Sequence, residues 1–270
     1  MLKLLKYEFR KALTSFLTLL GITVAVEAYF LISLQAEREG HLMAAMMLLF
    51  FMSIAAGVYV FVRGIVSYSG ELHNRTSYLL FLTPRSTLEI LGSKYLYTFV
   101  NGLLLSAVFG ALAILDFGLF SAHYNEYSSM YDLVKDFLSN YGIYVDSILS
   151  TMLFAVLYGF LQLLSMVGLA YFAITLSHTL LRDKKFRWVV AVILYIVLAR
   201  LVTYVCSLFP SLFADTVLVD PLNLHGEPVS DVIDISAIIG YLWPSLFVNV
   251  GVVAATLFSS AYMLKHKVSL

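Results

Sequence analysis

A helix that crosses the hydrocarbon core of a bilayer needs about 20 apolar residues in succession, because no water is present there to satisfy its backbone. Six stretches of this chain meet that demand, and little else is left for it to fold into. They run from about Thr14 to Leu34, Leu42 to Val66, Tyr95 to Phe120, Ile148 to Ser177, Trp188 to Phe209 and Ile235 to Leu264. Of the 270 residues 61% are apolar and only 13% charged, and the mean hydropathy is +0.89. A soluble domain needs a charged exterior, and this chain lacks the charge to build one. The expectation is an all-α integral membrane protein, a single transmembrane domain of six helices over residues 1–270. The last stretch carries Trp243-Pro244, where loss of a helix hydrogen bond suggests a break after a short re-entrant piece.

Lysine and arginine set the orientation. Lys3, Lys6, Arg10 and Lys11 precede the first span. Arg63, Arg75, Arg85 and Lys94 flank the second connection, Arg182, Lys184, Lys185 and Arg187 the fourth, and Lys265 and Lys267 follow the last span. These 14 share one side, against Arg38 and Lys135 on the other, with Arg200 inside a span. Acids cluster opposite: Glu126, Asp132, Asp136, Asp146, Asp215, Asp220, Glu227, Asp231 and Asp234. Both termini are therefore expected in the cytoplasm, with the chain in the cell membrane. A signal peptide would begin in a similar way, but the first apolar run is too long and no small-x-small site precedes Glu27.

Two segments have the pattern of surface helices. Residues 1–13 place Leu2, Leu5, Phe9, Ala12 and Leu13 within one arc and Lys3, Lys6, Arg10 and Lys11 outside it. This predicts an amphipathic interfacial helix that lies among the headgroups and then turns into the first span. In the external loop 121–147, residues 129–141 carry a stripe of Met130, Leu133, Val134, Phe137, Leu138 and Tyr141, which predicts a short external helix. The other external loop covers residues 210–234.

The cytoplasmic connection 67–94 is the most informative. Thr83-Pro84 is a helix start, since Thr caps and Pro tolerates the first helical position. Ser86-x-x-Glu89 is a second, overlapping one. Either helix would run through Lys94 into the third span. Residues 76–82 are apolar although they lie inside, so they pack under the bundle or face a partner.

The order Glu71, Thr76-Ser77, Leu79-Leu80, Thr83-Pro84, Ser86 and Gly92-Ser93-Lys94 resembles the permease subunits of ABC-2 type transporters. Arg85 stands where that family more often has an apolar residue. The resemblance implies a type V exporter-like fold and makes residues 71–94, with Arg85 and Glu89, an ATPase-coupling loop that docks on a separate subunit. It also implies a dimer with a second permease copy or a homologous permease. ATP and Mg would sit on the partner ATPase, with no cofactor on this chain. The cargo would be a peptide, drug or lipid-like substrate, exported from the cell.

No G-x-x-x-x-G-K-[ST] is present to cradle phosphates, so ATP would be hydrolysed by another chain and this one is not expected to be an enzyme. The formal net charge of zero predicts no pull on nucleic acid. Cys206 has no partner for a disulfide, and the six histidines are not paired at ligand spacing. Two charges fall deep in spans, Glu27 and Arg200, and the expectation is that they pair. Asn101 and Gln162 are candidate interhelical hydrogen-bond partners. The alternative reading is an ATPase-independent membrane protein: a membrane-embedded enzyme, a sensor or a secondary transporter.

Overall fold

The computed structural model describes residues 2–36, 38–73, 86–124, 135, 143–144, 148–180, 186–213 and 233–266. Six long helices account for nearly all of them: α1 (Leu2–Gln35), α2 (Glu39–His73), α3 (Thr87–Tyr124), α4 (Ile148–Leu180), α5 (Arg187–Phe213) and α6 (Ile235–His266). Each contains a segment long and apolar enough to cross a membrane, so the chain is an all-α, multi-pass membrane protein. The helices are 27 to 38 residues long. At about 1.5 Å per residue all exceed a hydrocarbon core of roughly 30 Å, so their ends reach into the headgroups or beyond.

Helices α3 and α4 form the middle of the bundle. α3 touches α1, α2, α4 and α6, and α4 touches α2, α3, α5 and α6, its most extensive contact being with α6. α1 packs on α2 and α3; α5 packs on α4 and α6. The buried core joins Tyr68 of α2, Leu91 and Tyr95 of α3, Val167 and Tyr171 of α4, and Ala261 and Leu264 of α6. Its closest approach is at Gly168, where a Cβ would lie 2.5 Å from Thr256 Oγ1 and 2.6 Å from the Tyr95 hydroxyl. A two-residue parallel pair, β1 (Ile143–Tyr144) with β2 (Ile233–Asp234), lies just before α4 and α6. The strands are parallel because the helices they lead into enter the bundle from the same end.

Two expected breaks are not there. Residues 2–13 are helical but continue straight into the span as one helix. Residues 9–20 hold no Gly or Pro to turn the chain, and the N-terminal turns are anchored to the bundle: Glu8 and Ala12 are buried, and Phe9 packs edge-on against Tyr97 of α3 at 5.1 Å. α6 likewise runs through Pro244 without interruption. The proline frees only one carbonyl, early in the span that starts at Leu242, and the Ser245 hydroxyl donates to the Leu242 carbonyl at 2.6 Å. The external helix expected at 129–141 lies outside the described residues, except Lys135, which is helical and exposed.

Candidate functional site

Three helices meet in a buried polar cluster near the connection between α2 and α3. The Lys94 ammonium of α3 donates to Glu8 Oε1 of α1 at 2.7 Å, to Ser67 Oγ of α2 at 3.0 Å and to the Ser67 carbonyl at 3.4 Å. Ser67 Oγ in turn donates to Glu8 Oε2 at 2.6 Å. The side chains of Lys94 and Glu8 are only 2% and 6% exposed. Each charge thus has its counter-charge and a shared hydroxyl, which is what makes burying them tolerable. One turn closer to the bundle centre, Arg63 Nη2 donates to the Lys11 carbonyl at 2.5 Å, a second tie between α1 and α2.

A layer of hydroxyls lies beside the ion pair. Tyr68 bonds Thr175, Tyr171 donates to the Gly64 carbonyl at 3.1 Å, and Tyr95 meets Thr256 at 3.1 Å. These bonds join α2, α3, α4 and α6, with the Tyr95 and Tyr171 rings edge-to-face at 5.2 Å. These contacts tie the four helices together at this end. At the same end Arg187 bonds His178 Nδ1 at 3.0 Å, holding α5 to α4.

The loop itself is described only at its ends. α2 continues through Glu71 to His73, and α3 starts at Thr87. Ser86 is the cap: its hydroxyl accepts the Glu89 N–H at 3.2 Å, and its carbonyl accepts from Glu89 and Ile90. The second of the two start signals is thus the one that closes α3. Thr76, Ser77, Leu79, Leu80, Thr83, Pro84 and Arg85 lie outside the described residues. From Lys94 to Thr87 is seven residues and from Ser67 to His73 six, so the ion pair sits roughly 10 Å above the loop base.

The expected Glu27–Arg200 pair does not form. Glu27 lies beside Asp116 of α3, and Arg200 is exposed on α5. α1 and α5 pack on different sides of the bundle, which keeps the two charges apart. Asn101 is buried in α3, and its amide nitrogen has no hydrogen-bond partner among the described residues.

Glu8 and Asp116 are the residues that sequence reasoning missed. Glu8 is three residues after Leu5 and four before Ala12, so it stands on the flank of the apolar stripe, the single acid among four cations. An acid so placed needs a partner, and that was the available signal. Lys94 was counted as a topology charge when its ammonium is buried. Asp116 falls inside an apolar run, where any carboxylate asks for a neighbour.

The fold and this cluster define a six-helix membrane protein whose first three helices are locked together by buried charge beside a basic connection. No protein-family model matches the chain, and no curated protein or solved structure matches it.

Proposed function

We propose that this chain is the permease subunit of an ATP-driven ABC-2 type transporter, an exporter of a peptide, drug or lipid-like substrate. A separate ABC ATPase subunit binds ATP and Mg and docks on the cytoplasmic loop, and a second permease copy or a homologous permease completes the path. Both termini are then cytoplasmic, and the protein resides in the cell membrane. The observation that carries this reading is the ordered set in the loop: Glu71, Thr76-Ser77, Leu79-Leu80, Thr83-Pro84, Ser86 and Gly92-Ser93-Lys94.

The geometry around the loop supports it. A docking element transmits force only if its two supporting helices are stiff and share a fixed base. α2 and α3 both run unbroken to the loop, and Glu8, Ser67 and Lys94 tie them to each other and to α1. A push on the loop would tilt three helices together. Co-purification tests this: wild type should bring down a chain with a G-x-x-x-x-G-K-[ST] motif, and replacing residues 76–90 by a Gly/Ser linker should abolish capture while the permease stays folded. Equal capture by both would refute it.

One observation favours the second reading, a secondary transporter or other ATPase-independent membrane protein. Glu27 and Asp116 form an intramembrane acid pair of the sort that handles protons or cations. In that case Glu27→Gln would abolish activity, and removing the loop would not.

A further inference from the structure

Between α2, α3 and α4 lies a cleft of about 350 Å³, open along one side. Ser53, Ala56, Gly57 and Val60 form one wall, Gly102, Leu105, Ser106 and Phe109 the second, and Ala155, Val156, Gly159, Phe160 and Leu163 the third. Counted along the helices from Ser67 and Lys94, Gly57 and Ser106 are about 15–18 Å above the buried ion pair, near the middle of the hydrocarbon layer. Around it Phe50, Ile54 and Val58 on α2, Leu103 and Leu104 on α3, and Leu153 and Leu157 on α4 are all exposed apolar side chains.

The cleft has two polar side chains, and both are already engaged. Ser53 Oγ donates to the Phe50 carbonyl at 2.7 Å and Ser106 Oγ to the Leu103 carbonyl at 3.0 Å, each within its own helix. Neither hydroxyl proton is left to donate to a ligand, and no charged side chain lines the cleft. Water does not enter so apolar a space, and an empty cleft would deprive its walls of dispersion contacts. Its occupant must come from the surroundings at that depth. An unbranched hydrocarbon chain would restore those contacts without needing a hydrogen-bond partner. The glycines make the room: nothing lies within 4 Å of a Cβ built on Gly57 or Gly159, while one on Gly102 would press on Phe160 at 2.9 Å.

We propose that the α2–α3–α4 cleft binds the acyl chain of a bilayer lipid. This rests on the chain spanning a membrane, and it deepens the transport reading by naming a lipid as the class of molecule the bundle takes up. A charged cargo would find no counter-charge here.

The test uses the purified full chain in nanodiscs with a phosphatidylcholine carrying a diazirine midway along one acyl chain. After irradiation, labelled residues are mapped by mass spectrometry. Labelling at Gly57, Ser106, Gly159 and Phe160 should exceed that at the lipid-facing α5 residues Ile193, Ile196, Val197 and Leu201. In Gly57→Leu, and independently in Gly159→Leu, it should drop to the α5 level, with α5 itself unchanged. The α5 signal reports that each variant is inserted, and the second variant stands in if the first does not fold. Equal labelling of cleft and α5 in wild type would overturn the proposal. So would a cleft left unlabelled, as one covered by a second copy would be, or one labelled by a free diazirine fatty acid and not by the phospholipid. No ATPase is present, so failure here leaves the coupling reading to its own test by co-purification.

Discussion

Lys94 would be a poor residue to bury if Glu8 and Ser67 did not meet it. Removing one partner of a buried pair leaves the other charge uncompensated, at a cost of about 3–5 kcal/mol. Lys94→Met should therefore lower the thermal unfolding midpoint in detergent strongly, and Glu8→Gln combined with Lys94→Met should recover most of the loss. A double variant no better than the single would show that the pair does not hold the helices. Gly168→Ala is the sharpest packing test, because its Cβ would press on Thr256 and Tyr95. We expect about 1–3 kcal/mol of destabilisation, read in the same unfolding assay. At this scale the sequence was only partly legible. Glu27 and Arg200 stood out as charges in apolar runs, but a hydropathy pattern carries no information on which helices touch. The partner of Glu27 turned out to be Asp116, on a helix that packs against α1.

Six helical elements were legible because the membrane leaves no other way to satisfy a backbone in an apolar run. Their ends were not. The predicted first span began at Thr14, yet α1 is helical from Leu2, because its amphipathic first turns pack against α2 and α3 instead of lying on headgroups. The proline in α6 was given too much weight, since one lost hydrogen bond does not stop a long helix held by α4. The continuity of α1 is measurable. With Cys206 replaced, spin labels at the exposed positions Tyr7 and Ala28 should lie about 32 Å apart, the rise of 21 helical residues. A distance well below that would mean the helix turns at the membrane surface.

Across the whole molecule, the apolar surface and the bias of cations describe a membrane protein with one basic side. Three polar links between helices lie toward that side: the ion pair, the hydroxyl layer and the Arg187–His178 bond. Cysteine labelling of intact cells should find Lys6 and Lys265 protected and Arg38 reactive, once each is replaced singly by Cys in a Cys206→Ser background. The opposite pattern would invert the topology. The proposed role of the loop rests on an ordered set of residues in the sequence, most of which lie outside the described residues. Coupling at that loop is the central claim, and site-specific photocrosslinking in living cells tests it most directly. A crosslinker placed at Thr83, Ser86 or Glu89 should capture a chain bearing G-x-x-x-x-G-K-[ST], and one at His41, at the opposite end of α2, should not. Capture of no such chain from the loop, or equal capture from His41, would contradict it.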